Sequence, residues 1–164
     1  MPKTITVYLS GPMYLGKEQA SGWRNEVKRI LWKYSKPILI PSWNTSLGAE
    51  YIFSRGFSFK VFDPCNRWLE KGGQLEAEGS FVVQMDKMEI AKSDVLIVNA
   101  TNPGWGTPME QYIGWASGKM IIAFADCDFP SIWAKAHCHK MCRTHIEAAE
   151  WLCNVAAKQL ARVV

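Results

Sequence analysis

The hydrophobic positions along the chain change period repeatedly, and each change predicts a switch between strand and helix. Apolar runs typical of buried strands occupy residues 4–9, 37–40, 95–98 and 120–124. Apolar residues at helical spacing predict helices over residues 19–34, 80–91, 107–117 and 141–162. Strands joined by single helices predict a doubly wound α/β fold, with a mostly parallel sheet of about five strands and helices on both faces.

The hydrophobic pattern does not assign a helix or a strand to two segments. Residues 42–79 mix aromatic residues with glycine, serine and charge. They form either a long excursion that covers a ligand or a pair of extra short elements. Residues 126–139 are predicted to form a loop after the last strand.

Composition limits the function classes. A chain of 164 residues with 48% hydrophobic content is predicted to form one domain, 1–164. Its net charge of +4 is too small for a nucleic-acid binder, yet it favours small anionic ligands. No leader pattern and no apolar stretch of about 20 residues is visible, so we expect a cytoplasmic protein without membrane contact. The five cysteines are expected to be reduced thiols.

One carboxylate lies where α/β proteins bind ligands. Glu110 is predicted in the first turn of the helix that follows strand 95–98, above the carboxyl edge of the sheet. Thr107-Pro108-Met109-Glu110 is also an S/T-x-x-E capping box with proline at the first helical position. The pattern therefore leaves two interpretations of Glu110, a catalytic group and a helix cap. No P-loop and no GxGxxG fingerprint is present, which argues against kinases and dinucleotide oxidoreductases.

Three pieces of the chain carry a resemblance to a known family. They are YLSGP at residues 8–12, Asp86 in the helix before strand 95–98, and GTPMEQYIGWA at 106–116 followed by Gly118-Lys119. In this order the chain resembles the nucleoside 2-deoxyribosyltransferase family, which includes the 2'-deoxynucleoside 5'-phosphate N-hydrolases, over most of its length. The resemblance implies a flavodoxin-like domain that cleaves an N-glycosidic bond without a cofactor and forms a homodimer or larger homo-oligomer.

The resemblance also implies roles for three residues. Glu110 would attack the anomeric carbon and form a covalent ester, Tyr8 would orient it, and Asp86 would engage or protonate the leaving base. The helix amino terminus is expected to keep Glu110 ionised, and Asp86 is expected in a drier or more anionic setting. Asp86 as a solvated helix residue and Tyr8 as a core side chain remain the alternatives.

The predicted substrate contacts lie in two loops and the first helix. Gly104 departs from the family pattern, because the transferases have an acidic residue there and the monophosphate hydrolases a serine. The glycines leave room for a phosphate, and Trp105 is suited to stack on a base or cover the sugar. Further basic candidates for phosphate are Lys17, Arg55, Lys60 and Arg67. The substrate-binding residues predicted in full are Ser10, Gly11, Pro12, Gly104, Trp105, Gly106, Thr107 and Arg24.

Cysteine and histidine cluster near the end of the chain. Cys138, Cys142 and His145 would share a helical face and suit zinc if the last helix began early. The alternative is a loop that reaches a neighbouring subunit's site, as the resembled family implies; no metal is expected. Three function classes remain: a hydrolase of nucleosides or their 5'-monophosphates, a deoxyribosyltransferase, and a nucleotide-binding module without turnover.

Overall fold

The computed structural model describes residues 3–13, 17–34, 49–54, 57–66, 79–127 and 131–162. Its strands are β1 (Lys3–Ser10), β2 (Ala49–Ser54), β3 (Phe57–Phe62), β4 (Val95–Asn99), β5 (Met120–Phe124) and β6 (Lys140–Cys142). Its helices are α1 (Lys17–Lys33), α2 (Gly79–Lys92), α3 (Gly106–Ala116), α4 (Ile132–Ala136), α5 (His145–Trp151) and, after a π-helical turn (Leu152–Ala156), α6 (Ala157–Arg162).

The described strands form one sheet in the order β2-β3-β1-β4-β5-β6. β2 runs antiparallel to β3, and the other five strands are parallel. Numbered in chain order, the parallel strands have the order 2-1-3-4-5, which is the flavodoxin-like order. The predicted doubly wound α/β fold is therefore confirmed. Its topological switch point, where such folds bind ligands, lies between β1 and β4.

Helices cover both faces of this sheet. Alternate residues of a strand point to opposite faces, so Leu9 packs in the core with α1 and α5, whereas Tyr8 packs in the core with α2 and α3. The approach of α3 is close: a Cβ added to Gly114 would lie 2.7 Å from Leu96 Cδ2 on β4. This packing brings the start of α3 next to the end of β1.

The remaining segments show where the chain pattern was and was not sufficient. Part of the ambiguous stretch 42–79 is the β2–β3 pair, which confirms the interpretation as extra short elements for the described residues. The predicted strand 37–40 lies outside the described residues. The helix predicted over 141–162 is wrong at its start, because 140–142 form the edge strand β6. Helix α5 begins only at His145, where the Thr144 hydroxyl accepts from the Glu147 N–H at 3.1 Å. The predicted loop 126–139 contains α4.

The structure also gives the state of the cysteines and the hydropathy of the helices. All five cysteines lie in described segments and are free thiols. None of the described helices combines the length and the apolar character needed to cross a membrane.

Candidate active site

Side chains from separate elements meet at the carboxyl end of β1. The Ser10 hydroxyl donates to Glu110 Oε2 at 2.5 Å, which joins β1 to α3 across 100 residues of sequence. Ser10 and Tyr8 are two residues apart on β1 and therefore point to the same face of the sheet, towards α2 and α3. Tyr8, Ser10 and Asp86 all influence the ionisation of Glu110, so these four predicted residues lie close together beside the switch point.

Glu110 is not a helix cap. Helix α3 begins at Gly106, and its N-cap residue Trp105 has helical backbone angles and no side-chain capping bond. Glu110 is the fifth residue of this helix, and no acidic residue occupies the first turn. Its carboxylate accepts from Ser10 of a neighbouring strand instead. The capping-box interpretation is therefore wrong.

Burial dominates the ionisation of Glu110. Desolvation raises the pKa of this carboxyl from 4.5 to about 7, and the nearby Asp86 carboxylate adds to the rise. Hydrogen bonds from Ser10 and Tyr8 and the positive charge of Arg24 oppose it. The expectation that the helix terminus keeps Glu110 ionised is wrong, since Glu110 lies beyond the first turn of α3 and its burial raises the pKa. Near neutral pH both forms of the carboxyl are populated, which is the condition for proton transfer or nucleophilic attack.

The two alternatives proposed for Asp86 and Tyr8 have different outcomes. Asp86 is only 8% exposed and lies on the inner side of α2, so the interpretation as a solvated helix residue is wrong. Tyr8 is fully buried, and its ring packs in the core while its hydroxyl contributes to lowering the pKa of Glu110. The core role and the site role of Tyr8 are therefore compatible.

Arg24 is part of the support of the site. This side chain is fully buried, and Nη2 donates to the Gly11 carbonyl at 2.8 Å while Nη1 donates to the Pro12 carbonyl at 3.4 Å. Nε lies 3.4 Å from Asp63 Oδ1. The guanidinium is directed at the loop backbone, at the Ala20 carbonyl of α1 and at an internal carboxylate. This geometry does not present Arg24 to a substrate phosphate, contrary to the prediction.

The glycine-containing loop after β4 lies open beside Glu110. A Cβ added to Gly104 would meet no atom within 4 Å, and one added to Gly106 would lie 3.8 Å from Glu110 Oε1. The Trp105 side chain between them is 94% exposed. Thr107, unlike Trp105, is buried, and it faces an apolar groove between α3 and α4. The loop therefore has room for a ligand at Gly104 to Gly106.

A crevice of about 390 Å³ follows the carboxyl ends of the parallel strands. Two polar residues near this edge, Asn99 at the end of β4 and Asp63 directly after β3, were not among the predicted site residues. The signal that identifies them is a polar residue at the point where a buried strand ends. Residues around the crevice include Pro12, Trp23, Asn99, Asn102, Asp126 and Arg143.

The cysteines and histidines near the end of the chain do not form the helical zinc site that the sequence offered as an alternative. His139 Nδ1 accepts from the Ile121 N–H at 3.0 Å, and Cys138 Sγ donates to the Lys135 carbonyl at 3.3 Å. Cys142 lies on β6, so the helical face proposed for Cys138, Cys142 and His145 does not form. Within the described segments, no three His, Cys, Asp or Glu side chains are grouped to hold a metal ion.

Comparison with known proteins places this geometry on a known fold. No family model and no curated protein matches the chain. A solved 2-deoxyribosyltransferase from Bacillus psychrosaccharolyticus superposes with a TM-score of 0.58 at 17% identity, over 88% of this chain and 90% of that one. The chain has the fold of a 2-deoxyribosyltransferase. A conserved protein from Enterococcus faecalis V583 also matches, with a TM-score of 0.57 at 8% identity over 96% of this chain and 99% of that one.

Proposed function

We propose that this protein cleaves the N-glycosidic bond of a nucleoside 5'-monophosphate or nucleoside, ribo or 2'-deoxy, and releases the free base with water as acceptor. The observation that carries the proposal is the position of Glu110. A partly buried carboxylate beside the switch point accepts a hydrogen bond from Ser10 at the end of β1, although its sequence context suits a helix cap. The resemblance of YLSGP, Asp86 and GTPME to the family supports the same assignment.

The proposed reaction has two steps. In the first, a Glu110 oxygen bonds to the anomeric carbon as the bond from that carbon to the base nitrogen breaks. The electron pair leaves with the base, which takes a proton from Asp86; the reactive form is therefore the one in which Asp86 is protonated and Glu110 is ionised. In the second, water attacks the anomeric carbon, its proton passes to Asp86, and the ester bond to Glu110 breaks. Two displacements retain the configuration at that carbon. Ser10 and Tyr8 orient the Glu110 carboxylate through hydrogen bonds.

The loops around Glu110 suit the remainder of such a substrate. We propose that Ser10, Gly11 and Pro12 border the sugar and that the backbone N–H groups from Gly104 to Gly106 approach a 5'-phosphate. The open space at Gly104 supports this placement. The exposed indole of Trp105 would then cover the sugar or stack on the base.

A deoxyribosyltransferase is the second candidate. The observation that favours it is the fold shared with the 2-deoxyribosyltransferase from Bacillus psychrosaccharolyticus. Both candidates use the same glycosyl intermediate, and they differ in whether water or a second base accepts the sugar. A nucleotide-binding module without turnover is the third possibility, and it would bind substrate without releasing base.

Product chromatography tests these candidates. The wild-type protein, Glu110→Ala and the exposed control Glu150→Ala would each be incubated with ribo- and deoxynucleosides and their 5'-monophosphates, with and without a foreign base. Release of base by the wild type and the control alone, without added base, supports the hydrolase. A new nucleoside that forms only with foreign base identifies the transferase. Equal activity of Glu110→Ala would refute the nucleophile assignment, and binding without turnover would leave the non-catalytic module.

The expected homo-oligomer is also a proposal, and a specific surface supports it. Met109, Tyr112 and Trp133 expose 53 to 70% of their area along an apolar groove of about 560 Å³ between α3 and α4. Large exposed apolar patches commonly mark protein interfaces. We propose that a second copy of the chain covers this surface. Light scattering of the wild type and Trp133→Ser would show a dimer that the substitution weakens, and a monomeric wild type would contradict the proposal.

A further inference from the structure

We propose that Arg24, paired with Asp63, is a positioning residue: it holds Gly11 and Pro12, the loop residues that directly follow Ser10 at the end of β1, so that the Ser10 hydroxyl meets Glu110. Its role in catalysis rests on the proposed function. Its effect on the structure of the site does not, and can be tested without a substrate.

The first support is the way Arg24 is enclosed. It is a fully buried side chain, and its guanidinium lies 4.5 Å from the centre of the Trp23 ring. The Asp63 carboxylate beside it is held by two further donors, Lys28 Nζ at 2.9 Å and the Cys65 N–H at 3.0 Å. These two donors hold Asp63 in place directly after β3. Asp63 in turn holds the edge of the Arg24 guanidinium that bears Nε.

The second support is what the other side of the guanidinium binds. Nη2 donates to the carbonyl of Gly11, and Nη1 donates to the carbonyls of Pro12 and of Ala20, which lies on α1 itself. Gly11 and Pro12 are the two residues directly after Ser10. A planar guanidinium with donors on several edges can bridge a carboxylate and two carbonyls in this manner, whereas an ammonium cannot. The loop also packs directly on this unit, since a Cβ at Gly11 would lie 2.8 Å from Trp23 Cζ2.

The energetics favour a positioning role over a simple contribution to stability. Removing a charged pair from water has a large cost, and well-packed apolar residues often stabilise a core equally well. A buried arginine that binds loop carbonyls therefore points to a requirement for one loop conformation. That conformation places Ser10 Oγ 2.5 Å from Glu110 Oε2.

Arg24 also acts on Glu110 through its charge. The groups that influence the ionisation of Glu110 come from three elements: Tyr8 and Ser10 on β1, Asp86 on α2 and Arg24 on α1. Asp86 raises the pKa of Glu110, and Arg24 lowers it. Loss of Arg24 should therefore raise the pKa of Glu110 for two reasons. It removes a positive charge, and it loosens the hydrogen bond from Ser10.

The test is a titration of the Glu110 carboxyl by carbon-13 NMR in the full chain. Arg24→Gln should move the midpoint upwards by about half a pH unit or more, as expected for a lost neighbouring charge. Arg24→Lys keeps the charge and should move it upwards less. Ser10→Ala is the positive control. Arg29→Gln, the same substitution at an exposed arginine of α1, is the negative control and should leave the midpoint unchanged.

The outcomes separate this inference from the proposed function. If Arg24→Lys remains folded and leaves the midpoint unchanged while Ser10→Ala moves it, the positioning role is refuted, because a shift in Arg24→Gln alone reports only the lost charge. If Arg24→Gln does not fold, Arg24→Lys decides the question by the same criterion. If the midpoint moves but the wild type converts no nucleoside or nucleotide, the positioning role stands and the proposed function fails. With activity present, Arg24→Lys should lower kcat by about 10- to 100-fold and change KM less, because orientation is lost.

Discussion

Replacing Glu110 by glutamine should stabilise the protein at high pH and much less at low pH. Burial raises the pKa of Glu110 from 4.5 to about 7 in the folded state. The folded state therefore holds this proton more tightly than the unfolded chain, and the resulting stability is present below pH 4.5 and lost as the pH rises through about 7. Glutamine keeps an oxygen that can accept from Ser10 and has no charge to desolvate.

The size of the effect follows from the pKa. Each pKa unit corresponds to about 1.4 kcal/mol. The rise from 4.5 to about 7 therefore lowers the free energy of unfolding by roughly 3 kcal/mol when Glu110 is fully ionised. The free energy of unfolding of Glu110→Gln, relative to wild type, should therefore be about 2 to 3 kcal/mol larger at pH 8 than at pH 5. A difference of this size is a considerable part of the stability of a domain.

Urea unfolding followed by tryptophan fluorescence at the two pH values measures this difference. Glu26→Gln is the matched control, because Glu26 is a partly exposed glutamate whose pKa is lowered by its hydrogen bonds with Arg29. Its substitution should not stabilise the protein at pH 8. If Glu110→Gln changes the free energy of unfolding equally at pH 5 and pH 8, the carboxyl is not desolvated and the argument from burial fails.

Three further substitutions test the packing and hydrogen bonding of the site. Gly11→Ala places a Cβ 2.8 Å from Trp23 Cζ2, so it should lower the free energy of unfolding by about 1 to 3 kcal/mol in urea titrations and also abolish base release. Gly114→Ala meets Leu96 Cδ2 at 2.7 Å and should cost a similar amount in the same titrations. Ser10→Ala removes a hydrogen bond that lowers the pKa of the neighbouring carboxyl, so the acid limb of the activity profile should move to higher pH, and an unmoved limb would contradict that role.

The elements that the sequence predicted well are those with long, regular patterns. The strand at 120–124 and the helices around 80–91 and 107–117 are found with ends shifted by one residue at most. Strand β6 was missed because three residues are too few to show a period, and its pairing with β5 depends on tertiary contacts. The β2–β3 pair was left as one of two alternatives, since aromatic residues there suit a strand and a covering loop equally.

The candidate site residues were also predicted only in part, because some of their contacts depend on the fold. Tyr8, Asp86 and Glu110 follow from family resemblance and from the position of strand ends, and the structure brings them together. The role of Arg24 did not follow, although a signal existed. Arg24 and Lys28 lie four residues apart, in line with Ala20, on the buried side of α1. Their common partner Asp63 is distant in sequence, so only the fold reveals that these charges are paired.

The main disagreement between sequence and structure concerns the ionisation of Glu110, and it explains how the site is built. The sequence suggested a carboxylate kept ionised by a helix terminus, an effect that is worth little more than about 1 kcal/mol at exposed positions. In the structure the carboxyl is partly buried beside a second carboxylate, and desolvation is the largest influence on its pKa. A carboxyl with a pKa of about 7 is a stronger base and a better nucleophile than an exposed one, yet it is ionised in part at neutral pH. Ser10, Tyr8 and Arg24 then restrain the rise in its pKa, so the surroundings of Glu110 combine reactivity with ionisation.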